Sequence, residues 1–146
     1  MTVRRRGDSG FTLTELVMVM VIASILAAVA ASKINTQSFQ TEGFANRAAA
    51  MVRYAQKVAI SQRRTVFVVI SGNTLSLCYT DSGCGTPVRE PPGTGAFSYG
   101  APSGVTLSGA TFSYNALGKP SAGGTITVTG DVARTLTVEA ETGYVH

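Results

Sequence analysis

The longest apolar run of the chain decides most of what it can fold into. From Phe11 to Ala31 there are 21 residues whose single charge is Glu15, and Lys33 closes the run. At about 1.5 Å per residue, a helix of that length measures just over 30 Å, the thickness of a bilayer's hydrocarbon core. It is long enough for one membrane crossing. Arg4, Arg5 and Arg6 precede it, and a basic flank favours the cytoplasmic side, so everything after Lys33 is expected on the far side. Glu15 stands out in this setting, because a charged side chain at the centre of a spanning helix costs roughly 2.5 to 3.5 kcal/mol on insertion scales. Near an end the cost is smaller, but the carboxylate still needs a reason.

Two ordinary explanations compete for the segment. A secretory signal peptide would have this basic start, this apolar stretch and Ala28-Val29-Ala30 as a small-residue cleavage site before Ala31. Against it, the run is longer than the usual signal core and opens with two threonines and an acid. A plain single-span anchor fits the length but leaves Glu15 without a purpose.

A third explanation accounts for it. Gly10 followed by Phe11-Thr12-Leu13-Thr14-Glu15-Leu16, behind a basic leader and ahead of the apolar run, resembles the leader junction of type IV pilins and of the pseudopilins of type II secretion. The resemblance implies that a dedicated membrane peptidase cuts after Gly10 and methylates the new N-terminus at Phe11. It also implies that Glu15 pairs with the N-terminal amine of a neighbouring subunit during assembly. Such a pair is tolerable in an apolar bundle, whereas one partner without the other is costly, so Glu15 would act as a registry device. This chain departs from common pilins in having Ser32 where they carry a helix-kinking proline and Ser24 where they carry a glycine. A straighter anchor is the expectation.

Past Lys33 the pattern turns amphipathic. Phe44, Ala48, Met51, Val52, Ala55, Val58 and Ala59 recur at helical spacing, while Arg47, Arg53, Gln56, Lys57 and Arg63 fall largely elsewhere. This predicts a helix running to about Gln62 that packs on the remainder of the chain, with Asn35-Thr36 and Gly43 as its weak points. After Arg64 the period changes to two. Thr65 to Ser71 and Thr74 to Tyr79 flank Gly72-Asn73, the chain's best hairpin signal. Asp81 to Gly104 reads as loop, since Pro87, Pro91, Pro92 and Pro102 exclude regular central strands. Further strands are expected at Thr111 to Tyr114, Thr125 to Thr129 and Arg134 to Ala140, with a short last one at Tyr144 to His146. This order, with "RAAAMVRYAQKVAISQRR" leading into a hairpin, resembles the GspH/FimT group of minor pseudopilins and minor pilins over nearly the full chain.

The expected organisation is thus a leader peptide at 1–10, a transmembrane and assembly helix at 11–32, an amphipathic helix at 33–64 and a periplasmic β head at 65–146. The fold class is α+β, a long N-terminal helix packed on an antiparallel β head. Cys78 and Cys84 enclose a short polar loop with a turn signature at Asp81-Ser82-Gly83. In an exported protein this reads as a disulfide, with two unpaired thiols as the alternative.

Chemistry is poorly represented. The chain has one histidine, His146, and no nucleophile elbow, paired catalytic carboxylates or phosphate loop. Cys78, Cys84 and His146 are too few for a metal site. No enzyme activity and no cofactor are expected. The net charge is +4, of which Arg4, Arg5 and Arg6 against Asp8 supply half, so no clustered basic face marks nucleic-acid binding. Some FimT-like pilins are thought to bind DNA through a Gly-Arg-x-Arg stretch, but the matching place here reads Gly143-Tyr144-Val145-His146, with Glu139 and Glu141 nearby. Nucleic acid is not an expected partner unless Arg47, Arg53, Lys57, Arg63 and Arg64 form an exposed patch.

The resemblance implies a minor pseudopilin of a type II secretion system, at the tip or priming complex of a filament assembled from the bacterial inner membrane. The alternative is a type IV pilus minor pilin acting in pilus biogenesis or in DNA or surface binding. The implied partners are other filament subunits, the prepilin peptidase and the assembly platform. A third possibility is a periplasmic protein released after Ala30.

Overall fold

The computed structural model describes residues 11–31, 36–80, 83–93 and 95–146. The leader residues Arg4, Arg5, Arg6 and Gly10, the stretch from Ser32 through Lys33 to Asn35, and Asp81-Ser82 of the expected turn lie outside the described residues. Two compact units, Met1–Asn35 and Thr36–His146, make up the chain. In the first, helix α1 spans Leu13–Ala31, and none of its 19 residues is buried.

The second unit opens with helix α2, Thr36–Gln62. Its buried stripe contains every apolar residue expected from the spacing, from Phe44 through Met51 and Val52 to Ala59. Alanines 45, 48, 49, 55 and 59 are all buried, so half of this stripe is small and the helix can lie close to the strands beneath it. Gly43 falls on the exposed side with no neighbour near. The one buried polar side chain there, Thr41, donates to the carbonyl of Gln37 at 2.9 Å, which removes the cost of burying its hydroxyl. At the other end Arg64 N–H bonds Ala59 O at 3.2 Å, Arg63 N–H bonds Ile60 O at 3.3 Å, and Arg63 has φ +49°. These three features make a Schellman cap, in which an arginine holds the left-handed position that glycine usually takes.

Seven short strands follow among the described residues. β1 (Val66–Ser71) and β2 (Thr74–Cys78) form the expected hairpin, with Ser71 opposite Thr74 and Gly72 at φ +55°. A positive φ at the first turn residue alone is the pattern of a type II′ turn. With β3 (Ser98–Gly100) and β5 (Phe112–Tyr114) they make a sheet in the order β3-β2-β1-β5. A second sheet has the order β4-β6-β7, from Thr106–Gly109, Gly124–Thr129 and Arg134–Val138. Every pairing is antiparallel, and α2 packs against strands of both sheets. Val66, Val68, Leu75 and Leu77 from the first sheet join Leu107, Ile126, Val128 and Val138 from the second in one core under the helix. Each such side chain stabilises by roughly 1.5 to 3 kcal/mol on full burial.

Three expectations are corrected. β3 lies inside the proline-rich stretch, where three residues on a sheet edge fit between Pro92 and Pro102 without meeting either ring. β4 went unanticipated because Thr-Leu-Ser-Gly holds one apolar residue and so shows no alternation. The expected strand at Tyr144 to His146 is a single bridge, Val138 opposite Val145, closed by Thr137 and His146 exchanging hydrogen bonds at 2.7 and 3.1 Å.

Candidate functional site

The features singled out by sequence fall in three places. The first is the start of α1. Thr12 stands just before the helix, and its Oγ1 accepts the backbone N–H of Glu15 at 3.2 Å, while its carbonyl accepts that of Leu16 at 3.1 Å. Thr12 is therefore the N-cap and Glu15 the third helical residue, the spacing of a capping box. Sequence reasoning assigned Glu15 only an intermolecular role, although Thr12-Leu13-Thr14-Glu15 also carries this local signal. A carboxylate in the first turn also faces the positive end of the helix dipole.

Despite Glu15, α1 is long and apolar enough to cross a membrane. At 19 residues it measures about 28 Å. Its one further polar side chain before Ala31, Ser24, donates to the carbonyl of Val21 at 2.8 Å, so that hydroxyl is satisfied within the helix as an apolar surround requires. Phe11, Leu13, Met18 and Leu26 are each more than half exposed. Such a surface needs lipid or other apolar helices to cover it.

The second place is the cysteine pair. Cys78 and Cys84 form a disulfide at the end of β2. Tyr79 N–H donates to Thr86 O at 2.8 Å, and Thr86 N–H to Thr80 Oγ1 at 3.3 Å, so the bridged loop is also held by hydrogen bonds. Among the described residues, no group of three or more His, Cys, Asp or Glu is placed to hold a metal ion.

The third is the head surface. Arg47, Arg53, Lys57, Arg63 and Arg64 are all exposed, yet three of them are engaged. Arg47 pairs with Glu90 at 3.2 Å and lies 4.0 Å over the ring of Tyr99. Arg53 donates to Val145 O at 3.0 Å, and Arg64 sits 3.7 Å over Tyr79. Arg47, Arg53 and Lys57 lie along α2, and Arg63 and Arg64 just past its end. At the C-terminal stretch Gly143 is buried with φ +69°, Tyr144 is 62% exposed and stacks on His146, and Glu139 approaches His146 at 3.9 Å. Glu141 is bound by Lys119 at 2.7 Å, whose hydrogen bond and charge hold its carboxyl below the usual range. The charge beside Gly143 to His146 is therefore mixed, with two carboxylates close by.

Comparison with known proteins gives the same arrangement. Residues 5–31 match the prokaryotic N-terminal methylation motif, and residues 45–142 match the family described as type II transport protein GspH. No curated protein matches the sequence significantly. A crystal structure of the Pseudomonas aeruginosa type IV minor pilin FimU in space group P21 is similar, with a TM-score of 0.60 at 19% identity, covering 75% of this chain and 88% of that one. A second crystal form, in P65, gives 0.57 at 19% identity over 72% and 90%. At that identity the likeness concerns the fold.

Proposed function

The chain belongs to the GspH family of type IV pilin-like minor pseudopilins, and from that premise we propose that it is a minor subunit of a type II secretion pseudopilus. Family and fold are those of structural subunits, and the mechanism proposed is assembly. Cleavage after Gly10 releases Phe11, which is methylated. The α1 segment is held in the bacterial inner membrane until the assembly platform extracts it. Glu15 then receives the N-terminal amine of the neighbouring subunit, and the β head lies on the periplasmic side in the tip or priming complex.

One observation carries this reading. A methylation motif ends where an apolar, wholly uncovered helix ends, at Ala31, and a GspH region begins at residue 45 on the helix that builds the head. A helix of this kind, burying nothing in its own chain, has its partners in a membrane or in other subunits. The FimU likeness supports a second reading, a type IV pilus minor pilin, which shares every step and differs in the machine.

The test is a deletion strain complemented with a tagged copy, scored for secreted enzymes and for surface pili, with the N-terminal peptide of the recovered protein read by mass spectrometry. Methylated Phe11 and a secretion defect with pili intact are expected. Loss of pili with secretion intact favours the second reading, and a start at Ala31 or Met1 overturns both.

A further inference from the structure

The end of α2 and the segment following β2 enclose a cleft of about 710 Å³ that includes Tyr54, Arg64, Tyr79 and Arg89 among its walls. An adjoining hollow of about 310 Å³ shares Tyr54, Glu90 and Pro91 with it and is also lined by Arg47, Met51 and Phe97. A basic mouth thus continues into an apolar hollow. Among the described residues, the one carboxylate that lines either is Glu90, and it is already bound by Arg47. Arg64 and Arg89 line the cleft and take part in none of the ion pairs Arg47–Glu90, Lys119–Glu141, Arg134–Glu42 and His146–Glu139.

The backbone around this cleft is specialised. Among the described residues, the non-glycine positions with positive φ are Arg63 at +49° and Cys84 at +46°, immediately before the wall residues Arg64 and Gly85. Left-handed backbone at a residue with a Cβ costs on the order of 1 kcal/mol and persists where surrounding structure enforces it, often beside a ligand. Here the Schellman cap precedes Arg64, whose guanidinium carbon sits 3.7 Å over the ring of Tyr79. The Cys78–Cys84 disulfide and the hydrogen bond from Tyr79 N–H to Thr86 O tie down the backbone that carries that ring. A guanidinium stacked on an aromatic face keeps its N–H edge free for a carboxylate.

We propose that this cleft binds an extended, acidic peptide segment of a partner protein. Arg64 and Arg89 hold its carboxylate, and a neighbouring apolar side chain enters the hollow against Met51 and Phe97. Charge complementarity favours an anion. The adjoining apolar hollow favours a peptide over a nucleic acid. The proposal is independent of which filament the subunit joins, since binding a peptide requires no assembly.

The experiment uses the full-length protein in detergent and a fluorescein-labelled hexapeptide of alternating glutamate and leucine, followed by anisotropy. Saturable binding is expected, weakened roughly tenfold or more by Arg64→Gln and by Arg89→Gln, as befits lost charged hydrogen bonds. Lys57→Gln, outside the cleft, is expected to bind as the unmodified protein does, and melting temperatures identify any variant that fails to fold. Arg64→Lys, which keeps the charge but loses the planar fork, is expected to fall between. Absence of saturable binding, equal binding by all variants, or equal binding of a glutamine-leucine peptide would overturn the proposal. Tighter binding of an oligothymidylate through the same two arginines would overturn it in favour of nucleic acid.

Discussion

Tyr114 shows how one residue ties the head together. It is fully buried, its hydroxyl donates to Gly143 O at 3.2 Å, and burial pushes its phenol from 10.0 up to about 12. The neutral phenol is the form the fold prefers. Its contribution is therefore complete below the unfolded value of 10.0 and is lost as pH rises towards 12. Tyr114→Phe is expected to cost about 1 kcal/mol at neutral pH through the lost hydrogen bond. It is also expected to flatten the decline between pH 10 and 12, as checked by denaturant melts of both proteins across that range. Gly143 itself illustrates what one residue does and does not reveal. The glycine stands in sequence just before the expected last strand, but nothing local shows that a Cβ there would come within 2.7 Å of the Tyr114 ring, because that closeness arises between residues 29 apart. Gln56 was assigned to the polar side of its helix, yet its amide donates to Gly118 O at 2.9 Å and Thr142 O at 2.8 Å, joining two turns.

Among the elements, α2 and the β1–β2 hairpin were legible because each carries a strong local period: the buried stripe of the helix recurs every three to four residues, and Gly72-Asn73 fixes the hairpin register. β3 and β4 were not, since three- and four-residue strands hold too few side chains to show alternation and exist only by pairing with β2 and β6. The helix end invites a test. Arg63 occupies the left-handed cap position at φ +49°, where glycine is free of the Cβ penalty. Arg63→Gly is expected to stabilise the protein by roughly 0.5 to 1 kcal/mol, seen as a higher denaturation midpoint with an unchanged slope. An unchanged or lower midpoint would mean that the arginine side chain contributes more than its backbone strain costs.

For the whole molecule, the two units answer to different partners: the head buries its own core, while α1 buries nothing. On the proposed assembly role, Glu15→Ala is expected to leave the thermal melt of the head unchanged. It should leave processing at Phe11 intact and sharply reduce recovery in sheared filaments, as measured by immunoblot of filament and membrane fractions. A lowered melt would point instead to the capping role at Thr12. By itself the sequence determined the apolar helix, the amphipathic helix and the hairpin, because each is written in residues within a few positions of one another. Only the tertiary structure decided the two-sheet order, the burial of Tyr114 against Gly143 and the cleft that joins Arg64 to Arg89. These depend on chain segments far apart in sequence meeting over one core, and no local period encodes which ones will meet.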